Sequence, residues 1–200
     1  MFTDSMLAEA RNVRIDLMAM FQPIIDDNLS ALKIDLDWEI EQEIRERVAV
    51  LTFDELVNEM PVVPYLAVWE EGAVDIVHVY MSPRIESICD FTPYELQRIG
   101  YANIVRGDII SFYRDDKQVE ETVDPINDAK QKRVAGFLES RNWEGVYRIE
   151  KKDGRMVWVI DRSTITRFRN TVANSIVCLS SGILIKTTEL LERRETKRAE

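Results

Sequence analysis

The sequence predicts an α+β chain, with an antiparallel sheet covered by helices and an N-terminal helical extension ahead of it. Three observations carry this. Tyr147 to Val159 reads as a hairpin, because alternating flanks surround Asp153-Gly154, the turn chemistry of a two-residue type I′ loop. Residues 4–51 carry apolar side chains at helical spacing. Downstream, strand-period segments lie on both sides of a helical block, in the order strand, strand, helices, strand, strand, strand. Runs of strands of this kind build α+β folds rather than alternating α/β ones.

From the N-terminus, Met6, Ala10, Val13, Leu17 and Met20 form an apolar seam of about two heptads that Pro23 interrupts. A second helix spans Ile24 to Lys33. A third runs from Trp38 to Leu51, with Asp37 as its N-cap and Ile40, Ile44, Val48 and Leu51 on one face. Thr52-Phe53-Asp54-Glu55 has the form of a capping box and predicts a fresh helix start, ended by Pro61 and Pro64. The expected division is therefore a helical segment over 1–52, a sheet domain over 53–188 and the start of an exit helix over 189–200. Two destinations fit the helical stripes: the downstream domain, or a second copy of the chain. The second makes Met6, Ala10, Val13, Leu17, Met20, Ile40, Ile44 and Val48 dimer-interface candidates.

Strands are expected over Tyr65 to Trp69 and Val74 to Met81. Ser82-Pro83 begins a short helix, with Ser82 as cap. Thr92-Pro93-Tyr94-Glu95 begins another, with a complete capping box and a Phe91–Leu96 staple. Residues 99–114 are ambiguous. Asp115 or Asp116 caps a longer helix bearing Val119, Val123, Ile126, Val134, Phe137 and Leu138. After the hairpin, in which Met156, Trp158 and Ile160 share a face, Ser175 to Thr187 forms the last strand.

The formal net charge is −10. Residues 1–60 hold fourteen Asp and Glu against five Lys and Arg, a solvated acidic helical face. This balance argues against nucleic acid as a partner, since phosphate binding needs clustered Lys and Arg. Two cysteines, no basic-then-apolar leader and no long apolar run point to a soluble cytoplasmic protein without a membrane span.

Four motifs in order resemble a PAS domain with a PAC-type second half: Tyr80-Met81-Ser82-Pro83; Phe91-Thr92-Pro93-Tyr94-Glu95-Leu96; Tyr147-Arg148-Ile149 with Lys152-Asp153-Gly154-Arg155 and Trp158; and Gly182 to Glu189. Together they cover roughly residues 61–189. At the exit this chain has Lys186-Thr187-Thr188 where the family commonly has Asp-Ile-Thr. The resemblance implies a five-stranded antiparallel sheet flanked by helices, a cup for a small molecule, and a sensory or interaction role, usually in dimers.

The chemistry agrees with a non-enzymatic module. His78 is the only histidine, so a multi-histidine metal site is not available. It reads as a strand residue, with haem ligation as the alternative. Cys89 lies in Ser87-Ile88-Cys89-Asp90-Phe91, which does not match the Asn-Cys-Arg-Phe-Leu-Gln-like motif of flavin-binding relatives. Hence neither haem nor flavin is expected, which leaves room for an unidentified small molecule. Tyr80, Phe91, Tyr94, Phe112, Tyr147 and Trp158 are candidates to line its pocket, with ordinary core packing as the alternative. Asp115, Asp116, Glu120 and Glu121 read as acids at a helix start. The expected function is a sensory or regulatory module that binds a small molecule or partner protein and relays the signal through a homodimer. The alternative is a structural interaction module with a filled core.

Overall fold

The structure, a computed structural model, describes residues 22–23, 25–30, 32, 34–58, 61–73, 76–114, 117–119 and 142–187; for 53–58, 107–114, 117–119 and 142–143 it describes the backbone alone. The Met6–Met20 seam, the exit helix and the helix expected over 120–141 lie outside these residues. Residues 22–23 and 25–30 are helical. The elements that follow are α1 (Trp38–Asn58), β1 (Val63–Glu70), β2 (Val77–Met81), α2 (Ile85–Cys89), α3 (Pro93–Ile99), a 3₁₀ turn (Tyr101–Asn103), β3 (Val105–Arg114), β4 (Lys117–Val119), β5 (Asn142–Glu150), β6 (Met156–Asn170) and β7 (Ser175–Thr187). Among the described residues no helix is long and apolar enough to cross a membrane.

Among the described residues one antiparallel sheet holds seven strands in the order β2-β1-β7-β6-β5-β3-β4. The expected count was five. The excess is β3 and β4, which occupy the ambiguous stretch and the start of the expected Asp115/Asp116 helix. Pairing of β3 with β5 and of β4 with β3 prevails there over the helical reading.

The hairpin exists, but its turn is not type I′. Glu150 pairs with Met156, and only Gly154 has positive φ, at 83°. Gly154 N–H donates to the Lys151 carbonyl at 2.9 Å, and Lys151 N–H to the Arg155 carbonyl at 2.7 Å. This is a three-residue loop, a type I turn closed by a glycine in αL. A two-residue loop would set Ile149 opposite Trp158; the extra residue sets it opposite Val157. A one-residue slip reverses every side chain. Val157, Val159 and Asp161 therefore share the face of Tyr147 and Ile149, and Trp158 is on the other. A Cβ at Gly154 would meet nothing within 4 Å, so Gly154→Val costs backbone strain alone, about 1–3 kcal/mol. A thermal melt reads this, and an unchanged curve would contradict the turn.

Each face of the sheet has its own core. The inner face packs Val63, Tyr65, Ala67, Tyr147, Ile149, Val157 and Val159 against Ile85, Ile88 and Cys89 of α2, Leu96 of α3 and Tyr101 of the 3₁₀ turn. Glu95 and Thr92 form the expected capping box at α3, with Pro93 in the first turn. Ser82 does not cap α2 directly; its hydroxyl accepts from Arg84 N–H at 3.1 Å, shaping the turn before it.

The outer face takes α1. Ile40, Ile44 and Val48 are buried against Leu66, Val68, Val79, Val177 and Leu179. This corrects their assignment to a dimer interface: the sheet of the same chain removes the stripe from water, as its apolar area favours. The fresh helix start expected at Thr52 is corrected as well, because α1 runs unbroken from Trp38 to Asn58. Thr52 is a helix-interior residue whose hydroxyl donates to the Val48 carbonyl at 2.8 Å instead of capping a new helix.

Asp37 stands at the expected N-cap position, its carbonyl accepting from Glu41 N–H at 3.1 Å, but its side chain turns away from the helix. Its carboxylate holds the β6–β7 loop, accepting from Thr171 N–H at 2.6 Å, Thr171 hydroxyl at 2.9 Å and Val172 N–H at 3.2 Å. Asn170, fully buried, completes the clamp by accepting from Asp37 N–H and donating to the Asp35 carbonyl. The Thr171 N–H, above all, lowers the Asp37 pKa below its ordinary value. A lowered folded-state pKa contributes stability that is present above the unfolded pKa and lost as pH falls through the folded one. The melting difference between the native chain and Asp37→Ala should therefore be full at neutral pH and shrink below about pH 4. A difference independent of pH would refute the clamp.

Candidate functional site

At the centre of the inner face lies a carboxyl group with no exposure, that of Asp161 on β6. Tyr65 of β1 donates its hydroxyl to Asp161 Oδ1 at 2.6 Å, and Tyr147 of β5 donates to Oδ2 at 2.9 Å. The Tyr101 and Tyr147 hydroxyl oxygens are 3.1 Å apart. Since Tyr147 has given its only proton to Asp161, Tyr101 is the donor in that pair. Burying a carboxyl is costly unless hydrogen bonds replace its water, and the tyrosines supply them.

The reach of Tyr65 needs explaining, because β7 lies between β1 and β6. Tyr65, Gly182 and Ser163 stand in one row across β1, β7 and β6. A Cβ built on Gly182 would lie 2.5 Å from Tyr65 Cζ and 2.7 Å from Ser163 Cβ. The tyrosine ring thus crosses β7 through the space a side chain at 182 would fill.

His78 adjoins this network. Its ring centroid is 5.4 Å from that of Tyr65 and 5.0 Å from that of Tyr101, both tilted, as aromatic quadrupoles prefer. A bulge between Leu66 and Ala67 in the β1–β2 pairing lets Val79 and Tyr80 both serve the outer core.

A cleft of about 1280 Å³ wraps the free edge of β2. One wall is the N-terminal segment, with Pro23, Asn28, Leu32 and Ile34; the other is α3 and the 3₁₀ turn, with Tyr94, Gln97 and Tyr101. Its floor includes Trp69, Ile76, Val77, His78, Tyr80 and Met81. Asn28 Nδ2 donates to the Val79 carbonyl at 2.8 Å, and Gln97 Nε2 donates to Asn28 Oδ1, joining the two walls.

The six aromatic pocket candidates disperse. Tyr80 and Tyr94 meet at the cleft, and Tyr147 joins the network. Phe91 packs on the inner core. Trp158 is corrected to the outer face, where the Arg148 guanidinium lies 5.3 Å from its ring centroid. Phe112 is on β3, opposite Gly145, and its side chain is outside the described set. Sequence reasoning missed Tyr65, Tyr101 and Asp161. The available signal was an aspartate in register with Val157 and Val159, visible only once the hairpin register is right. Both cysteines are buried, and burial pushes their thiols above the ordinary range, so neither is a poised nucleophile.

No family model and no curated protein matches the sequence. Among solved structures the chain is similar to an RNA-binding light-oxygen-voltage receptor, at 16% identity and a TM-score of 0.46, covering 74% of this chain and 36% of that one. The chain thus spans about a third of that receptor's length. It is similar to a light-oxygen-voltage domain whose mechanism a flavin analogue illuminates, at 16% identity and TM-score 0.42, covering 76% and 93%. It is also similar to a sensory box histidine kinase/response regulator from Burkholderia thailandensis, at 17% identity and TM-score 0.39, covering 74% and 92%. The expectation of no cofactor is corrected by the second of these: a mismatch around Cys89 does not exclude flavin from a chain that is similar to such a domain.

The strands β1, β2, β5, β6 and β7 stand in the order second, first, fifth, fourth, third, with α2, α3 and the 3₁₀ turn between the second and third. That arrangement, extended at one edge by β3 and β4, is the α+β fold of PAS domains.

Proposed function

We propose that the chain is a non-enzymatic sensory or regulatory module that takes a small molecule or partner protein and relays the signal through helices of a homodimer. The Asp161 network is the observation that supports this most. It ties β1, β5, β6 and the 3₁₀ turn into one hydrogen-bonded unit, and Tyr101 and His78 carry it to the cleft. A change in the cleft is then one ring away from bonds that span the sheet. Catalysis is a poorer use of these groups, because both Asp161 oxygens already accept tyrosine protons away from solvent. The filling of the inner face by Tyr65, Tyr101 and Tyr147 favours, as a second reading, a structural interaction module with a filled core.

The relay rests on the seam Met6, Ala10, Val13, Leu17 and Met20, an apolar stripe suited to an isologous contact. Light scattering on the full chain should give a dimer at tens of micromolar, converted to monomer by the paired substitutions Val13→Asp and Leu17→Asp. A full chain that is monomeric at that concentration refutes the relay. Mass spectrometry of molecules released from the purified protein separates the two readings.

A further inference from the structure

We infer that Trp38 and Val172, at the end of the sheet where α1 begins, form a docking surface for a basic segment of a partner protein. The segment carries Lys or Arg beside a leucine, isoleucine or aromatic residue. This goes beyond the sensory reading, and the surface stands whether or not the cleft takes a small molecule.

Exposure and a rigid mounting locate the surface. Trp38 is 71% exposed and Val172 62%. Exposed apolar residues scattered singly are ordinary, but these two adjoin although they are far apart in the sequence. Asp37 joins them: its carboxylate accepts from Thr171 N–H and Val172 N–H, and Trp38 follows it in the chain. Asn170 ties the same loop to Asp37 N–H and to the Asp35 carbonyl. Thr171, Val172, Ala173 and Asn174 are all exposed, so this clamp, and not burial in a core, fixes the loop. Neither Trp38 nor Val172 lines the cleft or takes part in the Asp161 network. A surface fixed before binding loses little freedom on binding. Tryptophan is among the residues most enriched where interfaces concentrate their energy.

Charge selects the occupant. Exposed Asp35 and Glu39 flank Trp38 in the chain, Asp37 adds a carboxylate between them, and exposed Glu46 continues the acidic side of α1. Arg169 is the cation at this end of β6. An acidic rim around an apolar pair complements a basic segment and speeds its encounter. The same rim disfavours nucleic acid and anionic lipid. It disfavours a second copy of the chain too, because a twofold contact sets this patch against itself, acid facing acid.

Selection of a random peptide library, displayed on phage, against the immobilised full chain tests the proposal. Recovered peptides should carry Lys or Arg beside a leucine, isoleucine or aromatic residue. They should bind Trp38→Ser about tenfold more weakly or worse, as truncation of a central aromatic anchor does. Trp38→Ser, at an exposed position, should leave the melting curve unchanged. Asp37→Ala, which frees the loop while keeping both apolar residues, should weaken the same peptides, and added salt should weaken them further. Amide NMR titration with a recovered peptide should shift residues 35–39 and 169–174. No recovered peptide, peptides without basic residues, or peptides that bind Trp38→Ser as well as the native chain overturn the proposal. So does loss of a native dimer in Trp38→Ser by light scattering, which assigns the surface to a second copy. Binding to phosphatidylserine vesicles that Trp38→Ser abolishes assigns it to a membrane and overturns the proposal equally.

Discussion

Asp161→Ala should destabilise the chain by about 3–5 kcal/mol, because it removes at once the two hydrogen bonds that Tyr65 and Tyr147 donate to a buried carboxyl group. Each hydrogen bond to a charged group contributes about 1.5–3 kcal/mol, and a hydroxyl that loses its acceptor carries a desolvation cost. Water does not replace the lost acceptor, since Tyr65 is 0% and Tyr147 4% exposed, although Tyr147 retains the Tyr101 hydroxyl at 3.1 Å. A domain of ordinary stability has about 5–15 kcal/mol in total, so the variant should sit close to unfolding at room temperature. Tyr65→Phe and Tyr147→Phe should each cost less. Their double variant should fall short of the sum, since both act on one carboxyl group. Urea unfolding measures all four. A loss below about 1 kcal/mol for Asp161→Ala would show that the network does not hold the sheet together.

Gly182→Ala should cost a comparable amount, about 3–5 kcal/mol, from a single added methyl. The new Cβ would meet the Tyr65 ring at 2.5 Å and Ser163 Cβ at 2.7 Å. Neither is a flexible end that can swing aside: Tyr65 is fixed at both its backbone and its hydroxyl, and Ser163 Cβ belongs to the paired strand. Overpacking of this kind costs about 1–3 kcal/mol, and expelling the ring also breaks the Tyr65–Asp161 bond at about 1.5–3 kcal/mol. Pairing Gly182→Ala with Tyr65→Ala, which empties the space, should restore part of the loss. If Gly182→Ala melts like the native chain, Tyr65 does not cross β7 as described. Tyrosine fluorescence gives a second reading, because displacing the ring changes its surroundings without requiring the chain to unfold.

The sequence by itself determined what local chemistry decides. The α3 capping box needs only Thr92, Pro93 and Glu95, and it formed as read. β7 spans Ser175–Thr187 as its apolar runs Ile176-Val177-Cys178-Leu179 and Ile183-Leu184-Ile185 predicted. The presence of a hairpin and its glycine, and the class of the fold, were legible for the same reason. Elsewhere two short motifs misled for want of context. Asp153-Gly154 supports both a two-residue and a three-residue loop, and the choice between them decides whether Trp158 or Asp161 shares the face of Tyr147 and Ile149. Thr52 has the composition of a cap, yet the apolar stripe continuing through Ile44 and Val48 is buried on the sheet and carries the helix past it.

Only the tertiary structure decided the site. Asp161 is one aspartate among many until β1, β7 and β6 lie side by side and Gly182 leaves the gap between them. The cleft likewise exists because Asn28 reaches Val79 and Gln97 across 51 and 69 residues of chain. Periodicity reports which face of an element is apolar. Which face its neighbours leave for function depends on register and on long-range pairing, and neither is written in any local stretch of residues.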